Sequence, residues 1–239
     1  MLGRHVMEQA RAQGHEPLSL SRASGVDLLT GVGLAATLAG VDAVIDASAT
    51  TKTSTKASRH FFGTVTRNLR AAEREAGVRH HVAVSIIGAA QVAANYYAGK
   101  ALQEEILAAE PSGWSVLRAT QFHEFAVQLV GHGKVGPFQV VPAMRSQPVA
   151  AAEVAAELVT IAAGEPCGFA PDLAGPGEER MADLVRRYLE AIGQRRRVVE
   201  ISVPGVWGRG MRDGSLLPSP AARRGRQTFG AWLTELAQA

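Results

Sequence analysis

From Val82 to Phe125 the chain reads VAVSIIGAA, then NYYAGKALQEEILAA, then GWSVLRATQFHEF. Two short apolar runs with a helical stretch between them predict a strand, a helix and a strand. Strands joined through a helix pair in parallel, so this stretch points the whole chain toward an α/β sheet. Tyr96 and Lys100 are four apart and share one face of the expected helix, about one turn from each other. Ser85 stands at the end of the preceding strand, and in open α/β sheets the carboxyl ends of the strands are where ligands bind.

This trio suits proton transfer coupled to hydride transfer at a carbonyl. A tyrosine, with an ordinary pKa of about 10, is a poor acid or base at neutral pH unless a nearby cation stabilises the phenolate. Lys100 is such a cation, and the Ser85 hydroxyl can hold the substrate oxygen. Spacing alone leaves a second reading open. Y-x-x-x-K is a short pattern, and two tyrosines and a lysine also open an ordinary surface helix.

At 239 residues the chain suits one large domain, or a domain with an appended lobe. Apolar residues make up 46% and charged residues 20%, the balance of a globular enzyme, and the formal charge of +3 is too small to mark a nucleic-acid surface. The arginine clusters at Arg195–Arg197 and Arg223–Arg226 therefore read as solvated faces. Cys167 is the single cysteine, which excludes an internal disulfide and a cysteine metal cage and fits a reducing cytoplasm. No apolar stretch approaches the roughly 18 residues of a membrane span, and the N-terminus lacks a signal-peptide core. Neither H-E-x-x-H nor G-x-S-x-G occurs, so metal-dependent and serine hydrolysis are not expected.

Taken in order, the chain opens with a helical pattern through Ala12, with no strand before it. Glu16–Arg22 alternates as a strand should, Gly25–Leu28 reads as a short strand or turn, and Leu34–Leu38 as a short helix. Asp42–Ser48 is a buried strand, residues 49–58 a loop, and Arg59–Ala76 a helix with Phe62, Val65, Leu69 and Ala72 on one stripe, closed by Gly77. Beyond Phe125 we expect a loop at 131–136, a strand at 138–141, a helix at 152–163 and a strand and turn at 172–176. A helix at 178–192, a strand at 198–203 and a last helix at 227–237 follow. The alternation predicts a parallel, doubly wound sheet.

Asp42–Ser48, Ser85, Tyr96-x-x-x-Lys100 and Trp114–Phe125, in this order and at these spacings, resemble the NmrA-like, atypical branch of the short-chain dehydrogenase/reductase family. The resemblance extends over nearly the whole chain. It implies a Rossmann-type domain over residues 1–130 that binds NADP or NAD. Residues 131–239 would be mainly a small substrate lobe, with some segments returning to the sheet.

One departure stands at the start. Such proteins open with a strand and a G-x-x-G-x-x-G turn whose glycines let the backbone approach the pyrophosphate. Here Gly3 matches only the last glycine, so the first strand and most of the glycine-rich loop are missing. A sheet without its central strand leaves backbone groups unpaired, so a start site upstream of Met1 is expected rather than a true truncation.

By resemblance, Arg22 reads the adenosine ribose, and an arginine there suits the 2′-phosphate of NADP whereas an acidic residue would suit NAD. Asp27 would lie near the adenine, Ala47 and Ser48 along the ribose and nicotinamide side, and Lys100 would hold the ribose as well as the phenol. Ala119, Thr120, Gln121 and Phe122 would meet the nicotinamide half, although relatives often carry proline where Ala119 stands. His123 and Glu124 would face the substrate, or are plain polar residues at a strand end. Two function classes follow. One is an NADP-dependent oxidoreductase reducing a small carbonyl or quinone, with Ser85, Tyr96 and Lys100 as its catalytic residues. The other is a non-catalytic NADP(H)-binding sensor. Either way the partner is a small molecule, with no nucleic acid and no membrane, in a monomer or homodimer.

Overall fold

The computed structural model describes residues 1–238. In chain order its elements are α1 (Leu2–Ala12), a 3-10 turn (Arg22–Ser24), α2 (Leu34–Thr37), β1 (Ala43–Asp46), α3 (Thr55–Ala76), β2 (His80–Ile86), α4 (Ala89–Val92), α5 (Asn95–Ala108) and β3 (Trp114–Ala119). There follow α6 (Phe125–His132), β4 (Lys134–Val135), β5 (Phe138–Pro142), β6 (Arg145–Ser146), α7 (Ala151–Ala163), β7 (Gly168–Phe169), β8 (Leu173–Ala174) and β9 (Glu179–Arg180). The chain ends with α8 (Met181–Ala191), β10 (Arg197–Ile201), α9 (Gly205–Asp213), β11 (Arg223–Arg224) and α10 (Phe229–Gln238).

The central sheet is parallel, with strand order β1-β2-β3-β8-β11 and β7 paired to β3. The fold is the Rossmann-type α/β architecture expected from the sequence. Chain contacts divide it into two compact units, residues 1–118 with 154–170, and residues 119–153 with 171–239. The first unit thus ends at Arg118 and takes back most of α7 together with β7.

In the first unit α3 shows how the sequence makes its elements. Ser54 caps its start by accepting from the Ala57 N–H, and Gly77 ends it in the left-handed conformation at φ 75°. Phe62, Val65, Leu69 and Ala72 form its buried stripe, and Val65, Leu69 and Ala72 pack with Val26, Leu34, Leu38 and Val44. Strand β2 is buried over nearly its whole length, as a strand covered on both faces must be. Helices α3 and α5 approach closely at Gly99, where a Cβ would stand 2.5 Å from Phe62 Cδ2 and 2.6 Å from the Ser58 carbonyl oxygen.

Glu16–Arg22 departs from its expected strand. Residues 15–20 have no regular structure and Arg22 opens the 3-10 turn, because alternation makes a strand only where a neighbour supplies the ladder. Gly25–Leu28 forms no strand: Gly25 and Leu28 are turn, and Val26 and Asp27 have no regular structure. Helix α3 begins at Thr55, earlier than Arg59, because Ser54 offers the cap. In the second unit α6 reaches His132, so the expected loop at 131–136 is mostly helix and strand, and β9 precedes α8 where one helix was expected. There β5 pairs in parallel with β10 and antiparallel with β4, and β6 pairs antiparallel with β9.

Candidate functional site

In the first unit the carboxyl ends of β1 and β2 meet the first turns of α5. Asp46 ends β1 and is buried. Its Oδ1 accepts the Ser48 N–H at 2.9 Å and its Oδ2 accepts from Gln103 Nε2 at 2.7 Å. Gln103 Oε1 in turn accepts from Lys100 Nζ at 2.9 Å, and Lys100 also donates to the carbonyl of Val84, the residue before Ser85, at 2.9 Å. Lys100, only 3% exposed, lies with its Nζ 4.1 Å from the centre of the Phe62 ring. The Tyr96 ring meets Phe62 edge-on at 5.2 Å. Tyr96 and Lys100 therefore share the helix face that their spacing predicted, with Phe62 packed against both.

Electrostatics here depart from the expectation. Burial, and then the Asp46 carboxylate, push the Tyr96 phenol up to about 12, so Lys100 does not draw it down. The Lys100 ammonium is engaged with Val84 and Gln103. Burial pushes Lys100 itself down to about 8, against the pull of Asp46 and Glu104. At neutral pH the phenol holds its proton.

The turn that presents Tyr96 is strained. Ala93 and Asn95 have φ 41° and 53°, left-handed values unusual for residues with a Cβ. Asn95 is held by bonds to α3, its N–H donating to Thr55 Oγ1 at 2.8 Å and its carbonyl accepting from Ser58 Oγ.

Buried Ser85 Oγ and Ser48 Oγ have no hydrogen-bond partner among the described residues. Buried hydroxyls are ordinarily satisfied, so two orphans at strand ends fit a ligand rich in acceptors. Gly3, in the first turn of α1, has open space where a Cβ would stand. These residues fit a dinucleotide, with Ser48 and Ser85 the side chains that would hold it. Arg22 is exposed on the 3-10 turn. The Asp27 Oδ1 accepts the Leu29 N–H within its own turn at 2.8 Å.

In the second unit, Ala119 is buried and pairs with Leu173. Thr120 Oγ1 donates to the Gln147 carbonyl at 2.6 Å, Gln121 Oε1 accepts from Ser146 Oγ at 2.9 Å, and Phe122 bridges to Val149. His123, expected to face the substrate or to be a plain polar residue at a strand end, is enclosed, and its buried Nδ1 has no hydrogen-bond partner among the described residues. It is 1% exposed, packs against Phe229 and Trp232, and contacts the Gln227 carbonyl through Nε2 at 3.2 Å. Burial holds its imidazole below the ordinary value. Glu124, half-buried at the start of α6, has a buried Oε2 without a partner among the described residues. No cluster of three or more His, Cys, Asp or Glu gathers as a metal site among the described residues, and no described helix is long and apolar enough to cross a membrane.

Asp46 and Gln103 were missed in the sequence. Their signals were a carboxylate ending the apolar run AVID and an amide at i+3 from Lys100 on the same helix face.

A family model described as NAD(P)H-binding matches residues 1–165. No curated protein matches in sequence. Among solved structures, a nucleoside-diphosphate-sugar epimerase from Staphylococcus aureus superposes with a TM-score of 0.70 at 14% identity, covering 97% of this chain and 95% of that one. An NADPH-dependent quinone oxidoreductase from Escherichia coli gives a TM-score of 0.69 at 17% identity, covering 99% and 96%. Its complex with NADPH gives 0.65 at 18% identity, again over 99% and 96%. At such identities the likeness is one of fold.

Proposed function

The chain belongs to the NAD(P)H-binding family, and on that premise we propose that it is an NADP-dependent oxidoreductase reducing a small carbonyl or quinone. The observation that carries the reading is Ser85 Oγ, buried without a partner at the end of β2, beside the Val84 carbonyl that receives Lys100. When bound, the reduced nicotinamide supplies a hydride equivalent. For a carbonyl acceptor, Ser85 Oγ donates to the substrate oxygen, and Tyr96 Oη, still protonated, delivers the proton that oxygen needs as its carbon is reduced. Lys100 and Gln103 hold the end of β2 against α5 and so set the position of Ser85.

Arg22, exposed on the 3-10 turn, is the side chain suited to a 2′-phosphate, which supports NADP over NAD. A lone, unbridged Cys167 supports a cytoplasmic setting. The reading is tested by NADPH oxidation with a panel of quinones and aldehydes. Tyr96→Phe should cut aldehyde turnover by about 10²–10⁴-fold with nucleotide binding retained, and unchanged turnover would refute its role. Arg22→Ala should weaken NADPH binding by about tenfold or more while sparing NADH.

One observation favours a second reading, a non-catalytic NADP(H)-binding sensor. Lys100 is turned to Val84 and Gln103, and the phenol is pushed up rather than down. Nucleotide binding with no turnover on any acceptor would select it.

A further inference from the structure

In the second unit, the three-stranded sheet β10-β5-β4 turns one face inward and one outward. Its register sets Val135 of β4 beside Phe138 of β5, and Val199 and Ile201 of β10 beside Val140 and Pro142 of β5. Residues opposed in register share a face, so these side chains lie together. Theirs is the outward face, because Gln139 and Val141, which alternate with them along β5, are buried. Val135 is 61% exposed, Ile201 47%, Phe138 39% and Val199 37%. A sheet face left to water is ordinarily polar, whereas the charged residue on this one is Arg197, beside Phe138.

The two edges of this sheet differ. Strand β4 is two residues long and contains Lys134, which blunts it. Strand β10 is five residues long with neither lysine nor proline, and its acid, Glu200, is already held by Arg180. The Arg197 N–H donates to the Pro137 carbonyl at 3.2 Å, and the Ile201 carbonyl accepts from the Ala143 N–H at 2.8 Å. Residues 197, 199 and 201 therefore direct their backbone groups to β5. Those of Val198 and Glu200 point the other way, where they have no backbone partner among the described residues. Such an edge is a template for another strand.

We propose that a second copy of the chain takes this edge, β10 pairing antiparallel with the partner's β10 about a twofold axis, with Val198 opposite the partner's Val198. Charge selects that register. Centring the pair on Arg197 or on Glu200 opposes like charges, and centring it on Val199 sets Glu200 against a valine. Centring it on Val198 sets Arg196 opposite the partner's Glu200, and the reverse. Both belong to the inward face, where Arg196 Nη1 donates to the buried Gln139 Oε1 at 2.9 Å. On the outward face the aliphatic stems of the partner's Arg197 and Arg195 then lie over Val199 and Ile201, with their guanidinium groups in water. About six backbone hydrogen bonds form. A twofold pairing uses the β10 edge of both copies, so association stops at the dimer. It holds whether or not the chain turns over a substrate.

Light scattering reads the mass of the 239-residue chain and of three variants at about 100 μM, a concentration suited to so small an interface. Arg196→Glu and Glu200→Lys each set like charges against one another across the twofold. Val198→Pro removes an N–H that faces the free edge and none that β5 uses. The wild type is expected at twice the monomer mass, and each variant at the monomer mass. Mixing the Arg196→Glu and Glu200→Lys chains should restore the doubled mass, since both cross-strand pairs are then opposite in sign, and that restoration requires both to be folded. If circular dichroism shows a charge variant unfolded, Val198→Pro reads the edge by itself. A monomeric wild type would overturn the proposal and leave the edge to a different polypeptide. A dimer that every variant keeps would also overturn it, placing the contact on the outward sheet face. So would folded charge variants that stay monomeric when mixed, because the register would then be wrong.

Discussion

Replacing Lys100 by methionine tests the buried network at the end of β2 through its effect on stability with pH. In the folded chain burial pushes Lys100 down to about 8, from an ordinary value of 10.5. Below pH 8 the amine is protonated in both states, and the cost of burying its charge is fully present. Between pH 8 and 10.5 the folded chain has released a proton that the unfolded chain still binds, so the Lys100 contribution makes stability rise with pH. From pH 7 to pH 10 that rise amounts to about 2–3 kcal/mol. For a chain of this size it corresponds to roughly 5–10 °C in Tm. Tyr96 acts with the opposite sign above pH 10. Its phenol is raised to about 12, so the unfolded chain loses that proton first and stability falls. The window to measure is therefore pH 7 to 10.

Thermal unfolding followed by circular dichroism at four pH values, for wild type and Lys100→Met, isolates the effect. The variant also loses the bonds to Val84 and Gln103, so what is read is how the wild-type minus variant difference changes with pH. That difference should climb by the amount stated. A flat or falling difference would show that the ammonium is hydrated, and the reasoning from its burial would fail.

Three further outcomes follow from the same packing. Gly99→Ala drives a Cβ into the Ser58 carbonyl, forcing α3 and α5 apart; about 1–3 kcal/mol of overpacking outweighs the better helix propensity of alanine, seen as a lower urea midpoint. Glu73→Ala removes a buried carboxylate shared by Arg70 at 2.7 Å and His81 Nδ1 at 2.7 Å, and should cost about 3–5 kcal/mol in chemical denaturation. Ala93→Gly relieves a left-handed residue at φ 41°, and after the greater entropy of the unfolded glycine chain should stabilise by about 0.5–1 kcal/mol, read as a raised Tm.

The strands and helices of the first unit were legible because their signals are local. AVID and HHVAVSI are apolar runs of strand length, Ser54 and Gly77 cap α3, and the i, i+4 spacing put Tyr96 and Lys100 on one helix face whatever lay around them. The short strands β4, β6, β7, β9 and β11, each two residues long, were not, because so few residues carry no period. Glu16–Arg22 failed for the complementary reason, since it has the period of a strand but no partner.

Local pattern determined the α/β class, the order of the main elements and the pairing of a phenol with an amine one helical turn away. Tertiary structure alone decided what those groups do to one another. Burial and Asp46, which is 50 positions from Tyr96 in sequence, raise the phenol instead of lowering it, and Gln103 and Val84 take up the ammonium. Spacing along a helix specifies which side chains are neighbours. Desolvation and charge depend on segments that sequence distance does not bring together, and only packing does.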